Sequence, residues 1–569
     1  MSTTAERSGR GTVGDDTRIR RDMGPIGLLF MAVGSIIGSG WLFGALNASE
    51  LAGPAAVFSW LIGLVMFVLI GLTYAELGTM FPHTGGVARF PHYSHGSFAS
   101  FSMGWITWLA AASVAPIEVE AAVQYATNYL PWLETTKNSV PVLTGPGYGV
   151  SAALMALFVV INFLGVRWFA RVNTTIVWWK LFIIVLVVIV FLVVGFHGSH
   201  FTIKSAGGFA PYGTHGIFSA VATAGIAFAF FGFRQGVELA GETKNPGRNV
   251  PLTVVGSVVL TGIIYIGLQV AFIGATPTHA ITAAGWAKVG DHFGNTGTPA
   301  QFGPLAAVAG VLGITWLAVL LYIDAVVSPA DTGLIYTGVT ARLSYAMGRN
   351  RNAPAGLSSV TGGGVPWVSL ILAFIVGLIF FLPFPGWQEL VGFVTSSTVL
   401  SFGAGPIVLL AMRRQIPGHS RPFRLGAGWV IAFLALWSSN LIVYWTGWDI
   451  DWKLYVAILI GFALLGLNQL AGRAFNWTDV PRLDFRHGWW LLVWFGGLTI
   501  ISYLGSYPAP AAGNLGVIDF NWGLLATFLL SVLVVWLGYT FRLPDHRVEE
   551  MLEGVREEPD EGLSVAGEA

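Results

Sequence analysis

Gly34-Ser35-Ile36-Ile37-Gly38-Ser39-Gly40 interrupts the first apolar run of the chain, and the reading of these seven residues decides the fold. A glycine costs a helix about 1 kcal/mol relative to alanine, and three stand here together. The run lies within residues 24–49, a segment long and apolar enough to cross a bilayer core of about 30 Å. In hydrocarbon, unwound backbone persists only where protein buries it or a wet cavity receives it. Gly34 and Gly38 also fit the GxxxG spacing by which intact helices pack. Ser39-Gly40 leaves little side chain to hold a helix, so a break is expected.

Composition places the surrounding chain in a membrane. Of 569 residues, 54% are hydrophobic and 10% charged, and the mean hydropathy is +0.69. Soluble domains carry about 25% charged residues, so this chain has too little polar surface to stay dissolved. Lys+Arg equals Asp+Glu at 29 each, which gives no sign of a nucleic-acid partner. Without cysteine, disulfides, thiolate catalysis and Cys-based metal sites are excluded. The polar first 22 residues end in Arg18, Arg20 and Arg21. No short apolar segment with a small-residue cleavage site precedes the first span, so a cleaved signal peptide is not expected.

Hydrophobic runs predict fourteen spans, near 24–49, 54–80, 98–130, 149–166, 173–196, 215–240, 250–274, 311–346, 366–384, 388–411, 428–446, 452–471, 488–505 and 520–541. The eighth is weakest, because it holds Asp324, Pro329 and Asp331. Basic residues hold loops on the cytoplasmic side. With both termini inside, only Lys137, Lys204, Lys288 and Lys453 fall on outer segments, and Lys180 and Arg234 fall within spans. Every other Lys and Arg is then inside. The implied organisation is a cytoplasmic tail over 1–23, a core of ten helices over 24–412, peripheral helices over 413–541 and an acidic cytoplasmic tail over 542–569, disordered after about residue 548. The segment His83–His95 reads as an interfacial inner loop.

The sixth span carries a second interruption: Phe228-Ala229-Phe230-Phe231-Gly232-Phe233-Arg234-Gln235-Gly236-Val237-Glu238. Two glycines flank an intramembrane arginine, a charge that costs about 3 kcal/mol or more at that depth. Spans one and six hold equivalent places in two successive sets of five. Paired interrupted segments are the best sequence pointer to a transporter's central site.

The run Gly34–Phe43 resembles the first-helix signature of the amino acid–polyamine–organocation transporter superfamily. Phe228–Phe233, followed by Glu242-Thr243-Lys244-Asn245-Pro246-Gly247-Arg248-Asn249-Val250-Pro251, is similar to its sixth-span region. Thr340-Ala341-Arg342-Leu343-Ser344-Tyr345-Ala346-Met347-Gly348-Arg349-Asn350 with Pro354 is a third match, at the inner end of span eight. The resemblance implies an all-α membrane protein with a five-plus-five inverted-repeat core, helices 1 and 6 discontinuous, and an amino acid bound at the midplane between the two breaks. Free N–H groups near Gly38, Ser39 and Gly40 would take the α-carboxylate, since a helix N-terminus attracts an anion. Carbonyls ending the first half-helices, near Ser35, Ile36, Phe230 and Phe231, would take the α-ammonium group; Ile37 and Phe233 complete the expected pocket.

Arg234 departs from the superfamily pattern, which more often has Asp or Glu after the Gly-Phe pair, and is similar to bacterial aspartate–proton symporters. It would hold an acidic side chain through a bidentate pair; alternatively it pairs with Glu238, Glu118, Glu120 or Asp324 as a buried bridge. Proton-coupled relatives place a lysine where Lys180 stands, at the position of a cation site in sodium-coupled transporters of similar fold; alternatively Lys180 snorkels to headgroups. Glu118 and Asp324, the deepest carboxylates, are the other candidates for carrying protons. Glu76 reads as structural and Trp41 as a pocket wall or gate. The expected partners are a small amino acid, protons and the bilayer, with no cofactor and no metal. A carrier of neutral amino acids and an uncoupled exchanger are the rival transport modes. A membrane enzyme is disfavoured because every histidine falls in a loop or at a span end.

Overall fold

The glycine run is unwound. In the computed structural model, which describes residues 23–82, 86–137, 140–164, 166–294, 299–349, 353–361, 364–474, 483–507 and 513–557, helix α1 (Pro25–Ile36) stops at Ile37 and helix α2 (Gly40–Ala52) begins three residues later. The glycines admit neighbours rather than merely loosening the helix. A Cβ on Gly40 would stand 3.1 Å from Ala229 Cβ and 3.1 Å from a ring carbon of Phe228, so only a bare α-carbon lets the two interrupted spans approach.

Span six breaks earlier than the sequence indicates. Helix α7 (Gly213–Thr223) ends before Ala224, and the chain bends by 47° into a 3-10 turn, Phe228–Arg234, that runs into the short helix α8 (Gln235–Glu238). The pivot is Gly225, whose φ of +92° disfavours any side chain, and a Cβ there would meet Trp387 at 2.7 Å. Phe230 and Phe231 therefore lie within a wound segment beyond the break, not at the end of the first half-helix.

The remaining elements follow the expected runs. Helix α3 (Ala56–Met80) is followed by α4 (Gly86–Ala126), the hairpin β1 (Glu134–Lys137) and β2 (Val140–Leu143), α5 (Gly145–Leu164) and α6 (Val166–Val194). After α8 come α9 (Pro246–Ala275), α10 (Thr278–Ala284), α11 (Pro304–Val311) and α12 (Thr315–Arg349). Then follow α13 (Trp367–Phe380), α14 (Trp387–Phe402), α15 (Ala404–Gln415), α16 (Gly428–Thr446) and α17 (Trp448–Ala474). The last are α18 (Phe485–Gly488), α19 (Trp490–Leu504), α20 (Phe520–Thr540) and α21 (Asp545–Glu557). The uncertain eighth span is one continuous helix, α12, in spite of Pro329. Among the described residues ten helices are long and apolar enough to cross a membrane, eleven when the bent pair of span six is included. The count of fourteen is not reached on that measure; α13, with 14 residues, is short of a bilayer's thickness.

Packing concentrates on α4, which runs along α12 and α14, and on α3, which runs along α9. Glu76, fully buried near the end of α3, accepts hydrogen bonds from Arg413 Nε (2.9 Å) and Nη2 (2.5 Å) and from the Leu425 N–H (2.8 Å). That joint ties α3 to α15 and to the segment after it. Asp451 of α17 accepts from Ser396 Oγ of α14 (2.8 Å) and Ser502 Oγ of α19 (3.4 Å), which moors the late helices to the core.

Two expectations about segments outside the spans are corrected. Residues 86–95 are helical rather than an inner loop, and α4 bends out of this segment at Gly96 (φ +80°). Residues 545–557 form α21 rather than disordered chain. Val548 is fully buried and Met551 and Leu552 pack against the core, an i, i+3, i+4 apolar face that docks the helix despite its acidic residues. Arg547 of α21 pairs with Asp484 at 2.9 Å.

Candidate functional site

The two breaks face each other across backbone. A Cβ on Gly232 would fall within van der Waals contact of Ile36 N and Ser35 C and 2.7 Å from Ser35 O, so the 3-10 turn rests directly on the end of α1. Beside this contact lies a small cavity. Ser35, Ile36 and Gly38 form one wall, Phe228 and Phe231 a second, Val114 and Glu118 of α4 a third, and Thr332 and Tyr336 of α12 the last.

The hydrogen bonds of the first break are specific. Ile37 N–H still bonds the Val33 carbonyl (3.0 Å) and Gly38 N–H the Ile36 carbonyl (3.1 Å), while Tyr265 OH donates to Ile36 O (3.4 Å). Ser39 N–H, released from the ladder, donates to Glu118 Oε2 at 2.9 Å. The donor expected for a substrate carboxylate is thus held by a carboxyl of the protein itself. Gly38 makes this possible, since a Cβ there would crowd the Glu118 carboxyl, 3.1 Å from its Cδ. Ser39 Oγ accepts from Trp387 Nε1 (2.9 Å), fixing the outer half-helix against α14. Glu118 Oε1 and Ser35 Oγ are buried, line the cavity and have no hydrogen-bond partner among the described residues. Buried polar atoms are nearly always satisfied, and this cavity leaves these two open.

Lys180 sits at the same junction, fully buried. Its Nζ lies 2.6 Å from Asp331 Oδ2, and donates to Gly34 O at 3.1 Å and to Thr332 Oγ1 at 3.3 Å. Snorkelling does not occur; the side chain points inward, to the carbonyl end of α1. Asp324 stands two turns from Asp331 on α12 and accepts from Trp179 Nε1 (2.9 Å) and Ser328 Oγ (2.9 Å). It shares Lys180's helix interface without pairing with it.

Of the residues singled out from sequence, Ser35, Ile36, Gly38, Glu118 and Phe231 line the cavity. Ile37, Ser39 and Gly40 form the break behind it. Phe230 packs on Trp60 and Phe67, and Phe233 on Phe67 and Phe402, so both rings fill the core beside α3 and α14 instead. Arg234 does not line the cavity. Its Nε donates to Glu238 Oε1 at 2.8 Å and its Nη2 lies 2.6 Å from the same oxygen, the buried bridge that was the alternative reading. Trp41 is buried elsewhere in the core. Sequence reasoning did not select Thr332, Tyr336, Trp387 or the pairing of Asp331. Polar residues on an otherwise apolar α12 were the available signal for the first two and for Asp331; nothing local marks Trp387.

The family model described as "Amino acid permease" matches residues 23–465. A glutamate/serine transporter of Bacillus subtilis (strain 168) is 38% identical over 528 residues, covering 91% of this chain and 94% of its own length. An aspartate-proton symporter of the same organism is 34% identical over 525 residues, covering 92% and 96%. A branched-chain amino acid permease, again from Bacillus subtilis, is 25% identical over 463 residues, covering 78% and 92%. The paired breaks, the cavity between them and the match over most of the chain agree: this multi-pass membrane protein belongs to the amino acid permease family.

Proposed function

We propose that this chain carries an acidic amino acid, aspartate or glutamate, inward across the plasma membrane together with protons, by alternating access about the cavity between the two breaks. The observation that carries the reading is the carboxyl of Glu118 on the Ser39 N–H. A proton arriving on Glu118 weakens its hold on that donor, because a charge-assisted bond is about twice as strong as a neutral one. The freed N–H at the head of α2 then receives the α-carboxylate of the substrate. Proton and substrate thereby bind together, which is what symport requires. The carbonyl end of α1 and Ser35 Oγ receive the α-ammonium group. The Tyr336 hydroxyl is the donor left for the substrate side chain, since Thr332 Oγ1 donates to Ser328 O.

In this reading Lys180 holds the end of α1 in place of a bound cation, Asp324 is a further proton holder, and both termini are cytoplasmic, as the basic loops predict. The similarity to a glutamate/serine transporter and an aspartate-proton symporter supports the substrate class. A second reading has one specific observation in its favour. Arg234 is compensated by Glu238 and does not reach the cavity, so a small neutral amino acid such as serine needs no counter-charge there.

A competition panel separates the two. Uptake of radiolabelled aspartate into proteoliposomes with an inward proton gradient is challenged with all twenty amino acids at two pH values. Competition confined to aspartate and glutamate, stronger at the lower pH, is expected. Equal competition by serine and alanine with no pH dependence would overturn the acidic reading.

A further inference from the structure

We infer that Asp331 is a positioning residue for proton coupling: it keeps Lys180 in the ammonium form that clamps the carbonyl end of α1, and its exchange of a proton with Lys180 loosens that clamp. This rests on the proposed proton coupling and adds to it the residue that sets the charge state of Lys180.

Three oxygens surround Nζ: Asp331 Oδ2 in an ion pair at 2.6 Å, and Gly34 O and Thr332 Oγ1 as hydrogen-bond acceptors. An ammonium group has three N–H donors and no acceptor, so the shell is complete for the charged form. A neutral amine has two N–H groups and a lone pair, and in the same shell the lone pair would face an oxygen. The amine therefore fits only if one acceptor becomes a donor. The Thr332 hydroxyl already donates to Ser328 O (3.3 Å) and Gly34 O cannot donate, which leaves Asp331 as the group able to do so. When its carboxylate takes the proton, an N–H bond breaks and an O–H bond forms, the O–H donates back to the amine, and the total charge is unchanged. The two remaining N–H groups still reach Gly34 O and Thr332 Oγ1, but as neutral bonds of about half the strength.

The consequence falls on α1. This 12-residue half-helix meets α6 at Gly34, where a Cβ would stand 2.5 Å from Val177 Cγ2, and Lys180 grips the carbonyl of the same residue. Contact and grip coincide, so α1 cannot part from α6 unless Lys180 lets go. The titratable groups facing Lys180 are Asp331 and Asp324 from α12 and Glu118 from α4, and α1 contributes backbone. Asp324 is held by Trp179 and Ser328 and Glu118 by Ser39, which leaves Asp331 as the group in direct contact with the ammonium.

The test uses the full chain in proteoliposomes and radiolabelled aspartate, comparing gradient-driven accumulation with counterflow exchange across pH. Asp331→Asn is expected to lower accumulation about tenfold or more, since it strands a buried charge. It should also shift the alkaline limb of the exchange profile. Asp331→Glu should restore the limb in part. The double variant Lys180→Met/Asp331→Asn, which has no buried charge to strand, should fold and exchange without accumulating. Accumulation restored in the double variant would show the pair to be merely structural and overturn the inference, as would an unshifted limb in Asp331→Asn. If the unaltered protein shows exchange but no gradient-driven uptake, proton coupling itself fails and takes this inference with it.

Discussion

Gly232→Ala should cripple the protein at the contact between its two breaks. The added Cβ would lie 2.7 Å from Ser35 O and closer still to Ser35 C and Ile36 N. Carbon atoms in contact sit about 3.5–4.0 Å apart, so the 3-10 turn must withdraw from α1 by about 1 Å. All three obstructing atoms are backbone, and no rotamer change relieves the clash. Overpacking of this kind costs about 1–3 kcal/mol. If that strain acts on the arrangement in which the breaks meet, its population falls about 5- to 150-fold, at about 1.4 kcal/mol per decade. The apparent affinity for substrate falls by the same factor, because only the competent fraction binds.

Gly38→Ala is the informative contrast. Its Cβ would meet Glu118 Cδ at 3.1 Å and Thr332 Oγ1 at 3.2 Å, which are ends of side chains that can rotate. That variant should remain stable while Glu118 leaves Ser39, altering the pH dependence of uptake more than its KM. Gly104→Ala, with nothing within 4 Å of the new Cβ, is the control on α4. Initial-rate uptake against substrate concentration, with a melting curve for each purified variant, measures all three. A Gly232→Ala protein with the KM and maximal rate of the Gly104→Ala control would refute the backbone contact between the breaks.

Other expectations are shorter to state. Glu118→Gln should lose proton-driven accumulation while retaining exchange, since a neutral amide still reaches Ser39 N–H but carries no proton; unchanged accumulation removes Glu118 from the coupling. Glu76→Ala strands the Arg413 guanidinium, and a broken buried pair costs about 3–5 kcal/mol; a melting temperature equal to wild type would contradict a structural role. Glu134, buried in the hairpin with neither carboxyl oxygen bonded among the described residues, has its pKa pushed up by burial to about 8. The folded value exceeds the unfolded one of about 4.3, so hairpin docking is strongest below that pH and weakens as pH rises toward 8. Melting should fall between pH 5 and 8.5 in wild type and stay level in Glu134→Gln. Because the chain has no cysteine, single cysteines report sidedness cleanly. An impermeant thiol reagent applied to intact cells should label Lys137→Cys and should label Arg248→Cys only after permeabilisation.

What could be read from sequence was what local chemistry fixes. Gly34, Gly38 and Gly40 announce their break because the helix penalty of glycine belongs to the residue itself, and Lys180 announces itself as a charge in an apolar run. The break in span six was misplaced for the complementary reason. Ala224-Gly225-Ile226-Ala227 holds a single glycine and looks helical; it is unwound at Gly225, whose φ of +92° sets its bare α-carbon against Trp387, far along the chain. Glu118 and Glu120 lie two residues apart, about 200° around a helix, so one faces the break and the other faces away. The rotation of α4 that chooses Glu118 is set by its packing on α12 and α14, which no window of sequence contains. Asp324 and Asp331 pose the opposite problem. Seven residues apart, they share a face of α12 and differ only by about 10 Å along its axis. Which of them meets Lys180 depends on the height at which α6 passes α12, and the structure puts Asp331 at that height. Chemical type was therefore legible and partnership was not: the sequence names every charge in the membrane, but a buried charge acquires a role only from the group that tertiary packing sets against it.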